Sequence, residues 1–377
     1  MRFLTADYLY PLYIKPIREG VLQISDKGEV VAVLESRADI SKEKLEIFNG
    51  VLCPGFINAH CHLELSHLKG IAEKGRGFLD FIKTIKKRGE FNHKEIQNGI
   101  EKAEQEMIKN GIVAVGDICN TKDTIWQKQK SNMKYYNYIE IFGVETSETE
   151  IIISNALHIR DQFRAAGLQA TITPHAPYSV PPIMMQKILS FFDTKDHVFS
   201  IHMHETEAEN KLFEHKKGKF YTWLNNINAS SEIWEKRNKS IDIVKELKDQ
   251  RILLVHNTFV KKEDLIDSYY CTCPNANLYI EDALPDYSIF DVEKLCVGTD
   301  SLASNNSLSI LKELLTIQKN TDFDLNKLLK IASKNGAEAL RFLDLGTFEK
   351  GKKPGVNLLQ RLNGPKLTKK SLVRKLY

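Results

Sequence analysis

Leu52-Cys53-Pro54-Gly55-Phe56-Ile57-Asn58-Ala59-His60-Cys61-His62-Leu63-Glu64-Leu65-Ser66-His67-Leu68-Lys69-Gly70 is the stretch whose reading decides the fold. Pro54-Gly55 marks a turn. The apolar run after it reads as a strand that ends in His60-Cys61-His62. Side chains two apart on a strand share a face, so His60 and His62 project side by side from one strand end. Two converging neutral imidazoles suit a divalent metal of the zinc class. The pattern alone also fits one packed and one solvated histidine, and the rest of the chain decides between the two.

The chain beyond residue 52 alternates strands and helices. Strands are expected at Ile112–Ile118, Leu168–Thr173, Val198–His202, Arg251–His256, Tyr269–Cys273 and Leu295–Thr299. Helices are expected at Phe78–Arg88, from N-cap Asn92 to Asn110, from Pro181 to Phe192, at Glu205–Lys216 and Ile233–Lys248, and from about Ser307 and Asn326. Such alternation implies a parallel sheet. The length of the run and the lack of a Gly-x-Gly-x-x-Gly element favour a (β/α)8 barrel over a dinucleotide-binding sheet. The expected fold is therefore α/β, with the barrel at 51–344. Residues 1–50 and 345–377 hold short strand-like pieces, among them a hairpin with Val21–Ser25 and Val30–Leu34 around Asp26-Lys27-Gly28-Glu29. Each part is too small for its own core, so together they are expected to form one composite β-sandwich domain.

Composition narrows the function classes. The 377 residues carry 53 basic and 49 acidic side chains, a net +4, which gives no reason to invoke nucleic acid or membrane. The basic tail Lys366–Lys375 reads as a solvated end. No apolar run of about 20 residues is present, and the opening Met1–Asp7 lacks the apolar core of a signal peptide. Six cysteines do not make a disulfide framework in a chain this long. Cys53, Cys61, Cys119 and Cys296 read as buried thiols, and Cys271 and Cys273 form a C-x-C without redox or zinc-ribbon spacing. A reducing, cytoplasmic setting is expected. The expected partner is a small-molecule substrate, with a homodimer left open.

In such barrels active sites lie at the C-terminal strand ends. His60, His62, Asp117, His175, His202, His256 and Asp300 all fall there. His60, His62, His202 and Asp300 make a metal set that leaves a position for water. Bound to zinc, that water has a pKa near 7 and becomes a hydroxide nucleophile. Glu205, three residues past His202, can carry its proton, or is a helix first-turn acid favoured by the dipole. Glu64 continues the face of His62 and can reach substrate, or is a carboxylate behind the site. His204 shares a face with His202 but is the weaker ligand candidate. Asp117 either backs an imidazole or caps a loop.

These residues resemble the amidohydrolase superfamily, in its branch of metal-dependent nucleobase and nucleoside deaminases and chlorohydrolases. Pro54–His62 is similar to that family's P-G-h-h-[ND]-x-H-x-H, and Thr173-Pro174-His175-Ala176-Pro177-Tyr178 to its P-H-A-P-Y. His202-Met203-His204-Glu205 resembles H-x-x-E, Leu254-Val255-His256-Asn257 the apolar run ending in His, and Cys273-Pro274-Asn275-Ala276-Asn277-Leu278 the C-P-x-[SA]-N-x. Gly298-Thr299-Asp300-Ser301-Leu302-Ala303-Ser304-Asn305-Asn306 is similar to G-T-D-x-x-x-S-N-N. The matches run in family order across 50–340.

The resemblance implies one divalent ion, zinc or else ferrous iron, on His60, His62, His202 and Asp300. It implies Glu205 as proton shuttle, His256 as the electrophilic histidine and Asp300 as second base. His175, Glu64, Asn277 and Ser304 are the implied substrate contacts. No carboxylated lysine is expected, because His175 and its Pro-His-Ala-Pro-Tyr occupy the strand-four position.

Two stretches depart from the pattern. Gly346–Leu358 lacks the usual Ala-Asp, having Pro354-Gly355 there. Glu64-Leu65-Ser66 is closer to the aminodeoxyfutalosine deaminases than to the adenosine-homologue or chlorohydrolase members.

The implied activity is hydrolytic deamination of a purine-type nucleoside or related heterocycle by a metal-activated hydroxide. The alternative keeps the same site for another C–N or C–halogen bond. A metal-binding scaffold would leave Glu205 and His256 without a role. The zinc-deaminase class with H-x-E and P-C-x-x-C is excluded, because no P-C-x-x-C exists.

Overall fold

The computed structural model describes residues 1–38, 40–192, 197–247 and 250–377. The chain has an α/β architecture with two four-stranded parallel sheets. The first runs, edge to edge, through Ala170–Pro174, Lys134–Ile141, Ile112–Ile118 and Phe56–Cys61. The second runs through Val198–Met203, Arg251–His256, Tyr269–Thr272 and Leu295–Val297. These strands read as near-continuous apolar runs, the composition of strands covered on both faces. Helices such as His93–Lys109, Thr149–Ala165 and Ile310–Lys319 follow or precede them.

The two sheets meet at both edges. On one side His202 N–H donates to His175 O at 2.9 Å, and Thr173 Oγ1 bonds both the N and O of Ser200. On the other, the amides of Thr299 and Asp300 each donate to His60 O at 3.1 Å. Gly298 permits this approach, since a Cβ there would stand 2.7 Å from His60 O.

Two antiparallel-rich sheets gather the chain ends. Val21–Ile24 and Val30–Leu34 pair as a hairpin beside Arg2–Thr5. In the other, Val51–Pro54 lies between Tyr8–Leu9 and Val356–Gln360, and Leu372–Lys375 closes the edge. Leu4, Leu22, Leu52, Phe348 and Leu358 pack together between them.

Local signals explain most boundaries. Asn92 accepts from Glu95 N and Glu95 reaches back to Asn92 N, a full capping box that starts the helix His93–Lys109. The helix expected at 233–248 is instead broken into Glu232–Glu235 and Asp242–Leu247. Arg237 turns inward between them to bond Pro177 O, Val180 O and Glu246, and Asp242 Oδ2 takes the amides of Asn238 and Lys239. Side chains that satisfy the backbone this way compete with a continuous helix. The expected end at Lys248 lies outside the described residues. The helix expected from Glu205 begins at Glu207 with Thr206 as N-cap, and that expected from Ser307 begins at Ile310. The sequence reading leaves 119–167 without an element. The structure has the strand Lys134–Ile141 and the 17-residue helix Thr149–Ala165 there. No helix among the described residues is long and apolar enough to cross a membrane.

Candidate metal and proton-transfer centre

The C-terminal ends of the parallel strands bring the histidines together. His62 Nε2 lies 3.4 Å from His202 Nε2 and 3.5 Å from Asp300 Oδ1, and His60 Nε2 lies 3.7 Å from the same carboxylate oxygen. The donor atoms of His60, His62 and His202 fall within 4.8 Å of one another, as do those of His60, His256 and Asp300. Both ring nitrogens of His60 and Nδ1 of His62 are buried without a hydrogen-bond partner. Buried polar atoms are normally paired, so this cluster of unpaired nitrogens around a carboxylate fits a cation held among them.

The backbone is shaped to converge these groups. His204, His256 and Asp300 have φ of 49°, 71° and 56°. Left-handed backbone at such residues costs about 1 kcal/mol or more each and gathers at functional sites. Asp300 is steered by Ser304, whose hydroxyl donates to Oδ2. Asn58 holds the loop below, accepting from Thr299 N at 3.0 Å and donating to Thr299 Oγ1 at 2.8 Å.

Beside the imidazoles sits a carboxyl–histidine pair. Glu205 Oε1 is 3.6 Å from His256 Nε2. Asn277 donates to His256 O and accepts at Oδ1 from His256 Nδ1, 2.8 Å away, so Nε2 is the nitrogen facing Glu205. Burial pushes the Glu205 carboxyl well above its ordinary value and His256 down to about 4. Burial thus favours the neutral form of each partner, and a divalent cation alongside would pull Glu205 back toward ionisation.

The other imidazoles are held in distinct states. Burial, reinforced by the neighbouring histidines, drives His60 well below its usual range. Burial likewise takes His175 to about 3, and its Nδ1 bonds Ser179 Oγ at 2.8 Å. Burial acts the same way on His202, but the Glu140 carboxylate outweighs it and raises His202 to about 9. Burial pushes Asp300 up, and His62, His256 and the Ser304 hydroxyl more than reverse this.

Some expected positions turn out differently. Glu64 does not continue the strand, because Leu63–Leu68 forms a short 3-10 helix. Asp117 causes the turn: it accepts from Leu63 N at 2.8 Å and is paired with the fully buried Lys128. It thus backs the loop after His62 rather than an imidazole. Glu64 Oε2 takes the amides of Asn120 and Thr121 and the Thr121 hydroxyl, each at 2.9 Å, and burial raises the carboxyl to about 7. His204 is occupied through Nδ1 by Asn210 Oδ1 at 2.7 Å. Asn277 and Ser304 reach His256 and Asp300 respectively.

Three buried groups have no counterpart in the sequence reading. Glu140, the penultimate residue of the strand Lys134–Ile141, has Oε1 3.2 Å from His202 Nδ1. The alternating Tyr135-Tyr136-Asn137-Tyr138-Ile139-Glu140-Ile141 carries the strand signal that finds it. Glu313 accepts from Asn275 N and Nδ2 and from Asn305 Nδ2, tying two site loops together. Burial raises it to about 8. Lys128, at the end of the four-residue helix Ile125–Lys128, carries no sequence signal at all.

A sequence profile of the Amidohydrolase family matches residues 51–369. An adenosine deaminase of Helicobacter pylori is 27% identical over 325 residues, spanning 82% of this chain and 79% of that protein. The structure resembles H. pylori aminofutalosine deaminase in complex with methylthio-coformycin, with TM-score 0.83, 23% identity and coverage of 98% and 94% of the two chains. It also resembles an adenosine deaminase from Xanthomonas campestris with bound zinc, with TM-score 0.71, 20% identity and coverage of 95% and 84%.

Proposed function

The chain belongs to the amidohydrolase family, and from that premise we propose that it is a hydrolytic deaminase of purine-type nucleosides. The observation that carries this reading is the Glu205–His256 pair, 3.6 Å apart and buried against the imidazole cluster. Replacing an exocyclic amine by oxygen adds water to a ring carbon and expels ammonia, so one proton must leave the water and another must reach the nitrogen. A carboxyl with a raised pKa beside a neutral imidazole suits that two-way traffic. The adenosine deaminase relative supports the same bond.

His60, His62, His202 and Asp300 would hold one divalent ion, with zinc favoured by the imidazole-rich donor set and by the zinc in the X. campestris protein. When bound, such an ion lowers the pKa of water to about 7 and so supplies a nucleophile at neutral pH. Glu205 would carry one proton of the water to the ring nitrogen, and the remaining hydroxyl proton would then pass to the departing amine, which leaves as ammonia. His256, fixed at Nδ1 by Asn277, would present Nε2 to the oxygen arriving on the attacked carbon. Asp300, steered by Ser304, would act as second base. His175 would line the substrate space next to His202, from which it is separated by 4.7 Å between ring centres.

The hydrogen bonds at both sheet edges support reading the two parallel sheets as one closed eight-stranded (β/α)8 barrel. The sheet pairing supports a separate β-domain from both chain ends, with its boundary moved to Pro54 because Val51–Pro54 pairs with Val356–Leu359. Six buried, unpaired cysteines support a reducing, cytoplasmic setting.

The test is ammonia release from metal-loaded protein over adenosine and its 5′-substituted relatives, aminofutalosine among them. One ammonia per nucleoside, abolished by chelation, is expected. Release of halide or carboxylate without ammonia would move the assignment to another bond at the same centre.

A further inference from the structure

Glu140 is buried, and its Oε1 meets one side chain, His202. The carboxylate is not free to turn. Asn120 Nδ2 donates to Oε2 at 3.1 Å, and Asn120 Oδ1 accepts from Glu140 N at 3.2 Å. Asn120 is in turn pinned by Glu64, which accepts from its backbone amide at 2.9 Å. This two-way clamp aims Oε1 at the Nδ1 edge of His202, 3.2 Å away. His175 O lies at the same distance from that nitrogen. The opposite nitrogen, His202 Nε2, is the one that faces His62.

We propose that Glu140 is a positioning residue for the metal, holding the Nδ1–H edge of His202 so that His202 offers its Nε2 lone pair to the ion. An imidazole can carry its single proton on either nitrogen, and only the Nδ1–H form leaves Nε2 free to ligate. The His175 carbonyl orients the ring, and the Glu140 charge adds basicity that a carbonyl does not. Carboxylates behind metal-bound histidines act in this way, and their loss typically weakens metal binding 10–100-fold. Glu64 then serves the centre at one remove, through Asn120.

The inference rests on the metal reading above, and the experiment separates the two. Zinc dissociation constants are measured by competition with a chromogenic chelator for the full-length wild type, Glu140→Gln and Glu140→Ala, together with the melting temperature of each metal-free protein. Glu140→Gln keeps an oxygen at the same place and tests the charge, and it is close enough in shape to fold if the alanine variant does not. The expected result is a loss of zinc affinity of about 10-fold for Gln and up to about 100-fold for Ala, with metal-free melting temperatures unchanged for Gln. Zinc affinities within twofold of wild type in both variants, with KM raised instead, would make Glu140 a substrate contact and overturn the proposal. A wild type that binds no zinc would overturn the metal reading and this inference with it.

Discussion

Glu205 Oε1 lies 3.6 Å from His256 Nε2, and burial displaces the two groups in opposite directions, the carboxyl upward and the imidazole down to about 4. The pair is anchored on both sides. Asn277 fixes His256, and Glu209 accepts the amides of both His204 and Glu205. A proton can thus be held at one defined place between two anchored side chains.

Glu205→Gln is expected to retain metal and lose about 100-fold or more of kcat, the scale of a general acid–base group. His204→Gln is expected to keep most activity, because His204 is tied to Asn210. Paired measurements of metal content and ammonia release check this. A dead His204→Gln beside a nearly normal Glu205→Gln would reassign the shuttle.

Removing the ion should abolish turnover and lower the melting temperature. A ligand that binds only the folded state stabilises it by about 2.7 kcal/mol at a hundred times its dissociation constant. Titrating zinc into chelated protein should raise the transition and restore ammonia release together. Full turnover in metal-free protein would eliminate the proposed chemistry.

Ser304→Ala removes the hydroxyl that donates to Asp300 Oδ2. The ion should remain, held by the imidazoles, while kcat falls about 10-fold or more as the Asp300 carboxylate loses its orientation. Unchanged kinetics would show that Asp300 is positioned by other contacts.

Glu313 should govern part of the pH dependence of stability. Its folded pKa of about 8 stands above the ordinary 4.5, because burial disfavours the charged form. The folded chain then holds a proton that the unfolded chain has released. The resulting penalty is absent below about 4.5, grows as pH rises, and is complete above about 8. Inside that window stability should fall with pH, by at most about 1.4 kcal/mol per unit from this group. Glu313→Gln cannot ionise, so its stability relative to wild type should improve steadily from pH 5 to 8 in denaturant titrations. Parallel curves for the two proteins would remove Glu313 as the cause.

Lys128→Met should destabilise the fold by about 3–5 kcal/mol, since it leaves the buried Asp117 carboxylate without its cation. Adding Asp117→Asn should recover part of that loss. Thermal melts of the single and double variants measure both effects.

Much of this arrangement was legible in the order of residues. The apolar run after Gly55 reveals the strand that carries His60, and the N-cap residue Asn92 reveals the start of the helix His93–Lys109, because both signals are local. Pro54-Gly55, which reads as a turn, is instead a single-residue break at Gly55 between the strands Val51–Pro54 and Phe56–Cys61.

What stayed hidden depends on contacts far apart in the chain. Nothing near Glu64 announces that Asp117 and Lys128 will turn the backbone after His62 and send that carboxylate toward Asn120. Nothing near residue 237 announces that its guanidinium will leave the helix to bond Pro177 and Val180. Glu140 and Glu313 are ordinary acids in sequence. Only folding buries them, and burial without water is what makes a carboxylate's partners, and hence its protonation, a matter of tertiary structure.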